Sequence, residues 1–133
     1  MIHLSPEIAI EINKRMIEKY SKGELVGVKE PNLLDSAIHR PLQTMYGESL
    51  YQDIFEKAIA LFESLAKNHV FHNANKRTAF ACMAYFLFIN GHICVMNEEK
   101  AADLTVGFVI GDYSFEEVVA IIKSHSYRKS IQS

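Results

Sequence analysis

The sequence is poor in the features that mark several large classes of protein. It has only two cysteines, Cys82 and Cys94, in 133 residues, too few for the disulfide framework of a small secreted domain. Each lies in an apolar stretch, so we expect both to be buried, reduced thiols. The N-terminus lacks a cationic segment followed by an apolar one, so no secretion signal is expected. These absences favour a cytoplasmic protein.

Long apolar runs and an excess of one charge are missing as well. The longest uninterrupted apolar run covers residues 79–89, eleven residues, whereas a membrane-spanning helix needs about 20. The formal net charge is -2, so no general basic field is available to gather nucleic acid. We therefore expect neither a membrane segment nor direct binding to nucleic acid.

The residues that are present form an ordinary globular composition with helical patterns. Hydrophobic residues make up 49% and charged residues 23%, which suits one domain over residues 1–133. Apolar residues recur at three- and four-residue spacings, and several segments begin with a capping residue. The predicted helices cover about residues 6–21, 32–39, 53–68, 75–90, 98–109 and 114–124. The sequence thus predicts an all-α fold, a compact bundle of about six helices.

Three further segments complete the predicted fold. The helix from Asn75 to Asn90 is apolar all round over residues 79–89, which predicts a central buried helix. Gln43 to Tyr51 contains Gly47 and is irregular, so it is interpreted as a short flap loop or hairpin. The polar tail from Tyr127 to Ser133 is expected to be frayed.

The stretch from His69 to Arg77, HVFHNANKR, combines unusual features at a predicted helix start. Lys76 and Arg77 occupy the first helical turn, where the helix dipole disfavours cations. The same turn offers backbone amides without intrahelical partners. Amides and two cations at one point favour an anion site, most often for phosphate. The alternative interpretation is a solvated helix end from which both cations point away.

We expect His69, six residues before the start of the predicted helix, to reach over the same point. An imidazole can accept a proton near neutral pH, so His69 is a candidate general base for transfer to a hydroxyl. A purely structural histidine remains the alternative. A zinc site shared with His72 is disfavoured, because no cysteine or carboxylate lies nearby to complete it.

The segment resembles the signature of the Fic/Doc family, His-x-Phe-x-(Asp/Asn)-(Ala/Gly)-Asn-(Lys/Gly)-Arg. Lysine at position 76 resembles the Doc (death-on-curing) branch of that family. The resemblance spans nearly the whole chain. The other stretches that are similar to Doc sequences are residues 2–7, 35–37, 40–41, 50–51 and 102–107.

The resemblance implies a Fic/Doc-like fold and a toxin that uses ATP and Mg²⁺. Doc-like proteins transfer phosphate from ATP to a hydroxyl of a target protein, elongation factor Tu, and so arrest translation. Relatives with glycine in place of Lys76 usually transfer AMP instead. The resemblance also implies a Phd-like antitoxin whose C-terminal segment folds onto a groove of the toxin.

The resemblance also implies a role for each residue of the segment. His69 would be the general base, and Phe71 would anchor the loop in the core. Asn75, Lys76 and Arg77 would hold phosphates. The Gln43–Tyr51 region would be the flap that aligns the target as an added strand.

Asn73 departs from the family pattern. Many relatives carry an acidic residue at this position, which binds Mg²⁺, and an amide oxygen can replace it only without charge. Asn73 could instead cap the helix. Two alternatives to the kinase therefore stay open: an AMP transferase, and a catalytically weak homologue that acts by binding.

Overall fold

The computed structural model describes residues 1–130, and this part of the chain is a helical bundle. Its helices are α1 Pro6–Tyr20, α2 Pro31–His39, α3 Ile54–Lys67, α4 Asn75–Ile89, α5 Glu98–Ile110 and α6 Phe115–Ser124. A short 3₁₀ helix, Arg40–Leu42, follows α2. The strands are β1 Thr44–Met45, β2 Glu48–Ser49, β3 His92–Cys94 and β4 Ser126–Arg128. The predicted all-α fold with six helices is confirmed.

Four of the helices begin at side chains that cap their free amides. Ser5, Asp53, Asn97 and Ser114 each accept a hydrogen bond from an amide in the first turn that follows. Ser114 forms the capping box with Glu117 that the sequence predicts. Helix α4 is different, because its N-cap is Ala74 and no side chain caps it.

Helix α3 occupies the centre of the bundle. Nine of its fourteen residues are buried, and it packs against α2, α4, α5, α6 and the 3₁₀ helix. Only six of the fifteen residues of α4 are buried, and Tyr85 and Phe88 are 37% and 48% exposed. The central buried helix is therefore α3 rather than α4 as predicted, and α4 is buried along one face only. An apolar run does not reveal how many of its faces the neighbouring elements cover.

The C-terminal segment contradicts the predicted frayed tail. Tyr127 pairs with Ile93, and Arg128 with His92, in the antiparallel β3–β4 sheet. Residues 131–133 of the predicted tail lie outside the described residues. Cys94 on β3 is only half-buried, whereas Cys82 is fully buried as expected, and burial raises the pKa of both thiols.

The segment predicted as a flap is a two-stranded hairpin. Strand β1 pairs with β2 in antiparallel register, and Tyr46 and Gly47 at the tip have φ angles of 53° and 80°. Two successive positive φ angles are typical of a type I′ turn. No helix within residues 1–130 is both long and apolar enough to cross a membrane.

Candidate active site

The loop between α3 and α4 is fixed by backbone hydrogen bonds to residues 27–30. The amide of His72 donates to the carbonyl of Gly27 at 3.0 Å. The amides of Lys29 and Glu30 both donate to the carbonyl of Val70, at 2.9 and 3.0 Å. The side chain of Phe71 is 1% exposed and belongs to the core. The Phe71 side chain therefore anchors the loop in the core. His69 and His72, which lie near it in the sequence, remain exposed.

The side chain of Asn75 closes this loop onto the start of α4. Its Oδ1 accepts from the amide of Phe71 at 2.8 Å, and its Nδ2 donates to the carbonyl of Phe71 at 2.9 Å. Because these partners are a backbone donor and a backbone acceptor, they fix the orientation of the amide. The side chain predicted to hold phosphate is thus engaged with the protein backbone.

The N-terminus of α4 presents amides that no capping side chain occupies. Ala74 adopts the left-handed conformation with φ 60°, and the first bond of the helix runs from the amide of Thr78 to the carbonyl of Ala74 at 2.9 Å. The amides of residues 75–77 come before this ladder and are the groups that a helix offers to an anion.

A buried asparagine on α1, which the sequence analysis missed, supports this helix start. Nδ2 of Asn13 donates to the carbonyl of Asn73 at 2.9 Å and to Oγ1 of Thr78 at 3.0 Å. Asn13 is 0% exposed and lies between Ala9 and Ile17 on the buried face of α1. The sequence did contain a signal: Asn13 stands at helical spacing between Ala9 and Ile17. A polar side chain on the buried face of a helix needs hydrogen-bond partners in the protein.

An open cleft of about 320 Å³ brings the predicted site residues together. Its lining consists of Ser21, His69, His72, Asn73, Ala74, Asn75, Lys76 and Arg77. The cleft therefore holds the candidate base, both cations and the α4 amides, with no carboxylate among its lining residues. Such a set is electropositive and suited to phosphate groups.

Asn73 is not the cap of α4, so that interpretation is wrong. The N-cap is Ala74, and Nδ2 of Asn73 donates to the carbonyl of Leu25 at 3.0 Å. The cleft could bind Mg²⁺ through the amide oxygen of Asn73. Proteins usually bind Mg²⁺ through one or two carboxylates together with substrate phosphates. Residues 1–130 contain no cluster of three histidine, cysteine or acidic side chains placed to hold a metal. The donor set fits phosphates well and a resident metal ion poorly.

A second cleft of about 490 Å³ adjoins the first, and Lys76 and Arg77 line both. Its other walls come from α1, α4 and residues 98–106 of α5. The guanidinium carbon of Arg77 lies 4.0 Å from the ring centroid of Tyr20, and the Tyr20 hydroxyl donates to Oε1 of Glu98. Tyr20 thus gives Arg77 a favourable contact from another helix, and Glu98 acts on the Tyr20 ring; no local pattern in the sequence marks either residue.

A network centred on Arg40 fixes the base of the hairpin to α3. Nε of Arg40 donates to the Tyr51 hydroxyl at 2.9 Å, so the residues that flank the hairpin are bonded to each other. Nη2 of Arg40 pairs with Glu63 at 2.8 Å, and Lys67 pairs with Glu63 at 3.0 Å. Burial opposes ionisation of Glu63, but the hydrogen bonds from Arg40 and Lys67 outweigh burial and lower its pKa. The hairpin base thus lies against the last turns of α3, immediately before His69.

Fold and site together define a helical protein in which a histidine loop leads into an uncapped, cationic helix N-terminus. Residues 3–87 match the model of the Fic/DOC family. The chain belongs to this family.

Two relatives extend the comparison. The chain is 33% identical to "Protein kinase doc" of Escherichia phage P1 over 123 residues, 92% of this chain and 94% of the relative. It is 49% identical to "Toxin Doc" of Mycolicibacterium smegmatis over 69 residues, 52% of each chain. The chain therefore spans about half the length of the mycobacterial relative and nearly all of the phage relative.

Proposed function

We propose that this chain is a Doc-type toxin that transfers the γ-phosphate of ATP to a hydroxyl of a target protein. The observation that carries the proposal is the single cleft in which His69, Lys76, Arg77 and the α4 amides meet. The phage relative, matched over nearly its full length, carries the name protein kinase. Elongation factor Tu is the proposed target, and the site of action is therefore the cytoplasm.

The proposed reaction assigns the proton and the phosphate to different residues. Nε2 or Nδ1 of His69 takes the proton from the target hydroxyl, whose oxygen then attacks the γ-phosphorus. The bond from the γ-phosphorus to its bridging oxygen breaks, and ADP leaves with that electron pair. Lys76, Arg77 and the amides of residues 75–77 stabilise the negative charge on the phosphate oxygens.

Asn75 and Asn73 have supporting roles in this scheme. Asn75 holds the loop through Phe71, so its contribution is to place the helix amides rather than to contact phosphate through its side chain. Bound Mg²⁺ would neutralise phosphate charge, with Asn73 as its candidate ligand from the chain and the nucleotide supplying most of its oxygens.

The hairpin is the proposed docking edge for the target segment. Tyr46 at its tip is 99% exposed and Met45 is 58% exposed, and a two-stranded hairpin leaves edge backbone groups to pair with an added strand. The attachment of Arg40 to α3 would place that added strand near His69.

The proposed partner is a Phd-like antitoxin that neutralises the toxin. The second cleft, with a largely apolar lining from α1, α4 and α5, is the proposed docking groove for a segment of this antitoxin. Coexpression with the product of the neighbouring reading frame tests this partner. Relief of growth arrest and a stable complex would support it, and persistent arrest with no complex would contradict it.

The mass added to purified elongation factor Tu tests the reaction. Incubation with this chain and magnesium-ATP should add about 80 Da, the mass of one phosphate, whereas AMP transfer would add about 329 Da. An added mass of about 329 Da would establish the AMP transferase alternative. An unchanged mass together with growth arrest would favour a homologue that acts by binding.

A further inference from the structure

Arg77 occupies the boundary between the two clefts, and its side chain is exposed. An exposed arginine has many rotamers, and ordering one of them when phosphate binds costs conformational entropy. A contact that restricts these rotamers beforehand therefore strengthens phosphate binding without touching the phosphate.

Tyr20 provides such a contact from a different helix. It is the last residue of α1, and the Arg77 guanidinium lies over its ring at 4.0 Å from the centroid. The other cation near this ring, Lys19, is more distant at 5.1 Å. A guanidinium over an aromatic face is attracted by the ring quadrupole, and its flat shape matches the flat ring.

The ring is itself held in place. The Tyr20 hydroxyl donates to Glu98, the first residue of α5. The C-terminus of α1 and the N-termini of α4 and α5 consequently meet around Arg77. The carbonyl end of α1 is the negative end of its dipole and attracts the guanidinium, whereas the N-termini of α4 and α5 oppose it.

We propose that Tyr20 is a positioning residue that holds the Arg77 guanidinium at the mouth of the phosphate cleft, with Glu98 fixing its ring. The inference rests on the proposed function, in which Arg77 binds phosphate. Tyr20 acts through Arg77 and makes no contact with the nucleotide in this scheme.

ATP affinity of the full chain, measured by calorimetry, tests the inference. Tyr20→Leu should raise the ATP Kd about two- to fivefold, the size expected for an exposed cation–π contact. Tyr20→Phe keeps the ring but loses the bond to Glu98, so its Kd should lie between those of the wild-type and Tyr20→Leu proteins. In an Arg77→Ala background, Tyr20→Leu should have no further effect.

Tyr85→Leu is the matched control. It makes the same change at a half-exposed tyrosine on α4 outside both clefts, and should leave the Kd unchanged.

An NMR readout that needs no ligand separates this inference from the proposed function. In the nucleotide-free protein, the Tyr20 ring current should shift the Arg77 δ protons upfield, and Tyr20→Phe, whose ring Glu98 no longer holds, should show a smaller upfield shift. Normal δ shifts in the wild-type protein, or equal ATP affinity of the wild-type and Tyr20→Leu proteins, would overturn the positioning role. If the wild-type protein bound no ATP, the proposed function would fail, and the upfield shift would still support or refute the Tyr20–Arg77 contact.

Discussion

The side-chain amide of Asn75 binds both the amide and the carbonyl of Phe71, four residues earlier in the chain. This pair of bonds closes the loop between the buried phenylalanine and the start of α4. His69 lies two residues before this closed loop and the α4 amides begin at its end, so the closure brings both to the same cleft. The residue thus shapes the site through the backbone.

Asn75→Ala should therefore lower stability as well as activity. It leaves two partly buried backbone groups of Phe71 without their partners, which typically costs about 1–3 kcal/mol. Asn75→Asp keeps the acceptor and loses only the donor, so it should lose less. Urea unfolding of the three proteins measures the difference. Equal unfolding free energies, with ATP affinity lost, would instead assign the side chain to phosphate.

Lys76→Ala and Arg77→Ala should both weaken ATP binding and should differ in stability. Removing Lys76 relieves an unfavourable dipole interaction and should raise the free energy of unfolding by about 0.3–1 kcal/mol. Removing Arg77 gives the same relief but also loses the stack on Tyr20, which is worth about 0.5–1 kcal/mol, so its stability should hardly change. Calorimetry with ATP and urea unfolding check both effects. A clear loss of stability in both variants, with ATP affinity intact, would mean that the two cations are structural.

Asn73→Asp should reduce the magnesium concentration that gives half-maximal transfer, because it adds a charged oxygen ligand. Its stability should not rise. The gain from an acid at a helix N-terminus, about 0.3–1 kcal/mol, is offset by loss of the bond to the Leu25 carbonyl, worth about 0.5–1.5 kcal/mol. Asn32→Asp, an exposed change of the same charge on α2, is the control. Magnesium curves that coincide for the wild-type and Asn73→Asp proteins would remove Asn73 from the metal site.

Glu63→Gln tests the network that anchors the hairpin, and its effect depends on pH. The folded-state pKa of Glu63 is lowered from 4.5, so its stabilisation is present above that pH and is lost as the pH falls towards the lowered pKa. At pH 7 the variant should lose about 1.5–3 kcal/mol, the usual worth of hydrogen bonds to a charged group.

Below the folded-state pKa of Glu63, the difference between the two proteins should shrink. Glu11→Gln is the control, because it removes an exposed ion pair with Arg15. It should lower the free energy of unfolding by at most about 1 kcal/mol. Urea unfolding across this pH range measures all three proteins. A Glu63→Gln effect that is independent of pH would contradict the ion-pair account.

Much of the fold could be predicted because its signals are local. Ser114 and Glu117 lie three residues apart and mark the start of α6 by themselves. The hairpin around Gly47 and the segment from His69 to Arg77 are likewise contained in short stretches of sequence. The signal for each feature lies in neighbouring residues, although tertiary bonds from residues 27–30 and Asn13 then hold the His69 segment in place.

The features that sequence reasoning missed depend on distant contacts. The Tyr20–Glu98 hydrogen bond joins residues 78 positions apart, and the bond from Asn13 to Thr78 joins residues 65 apart. The pairing of Tyr127 with Ile93 and the exposure of Tyr85 also depend on how helices pack. No periodicity within one segment carries that information. Arg77 looked uncompensated in the sequence because the ring that it contacts, that of Tyr20, belongs to another helix.

In the proposed reaction, His69 takes the proton from the target hydroxyl and the γ-phosphate leaves ATP, and one labelling experiment tests both roles. His69 has φ 48°, a conformation that asparagine also tolerates, so His69→Asn removes the base without straining the loop. His72→Asn is the matched control, because His72 is an exposed histidine of the same loop and cleft. Unfolding of both variants should match the wild type within about 0.5 kcal/mol.

The measurement is the transfer of radiolabel to elongation factor Tu from ATP labelled at either the γ- or the α-phosphate. We expect that only the γ-label is transferred, that His69→Asn slows transfer about 10²- to 10⁴-fold, and that His72→Asn retains it. Transfer of the α-label would rule out the kinase reaction, and transfer by His69→Asn at the wild-type rate would rule out His69 as the base.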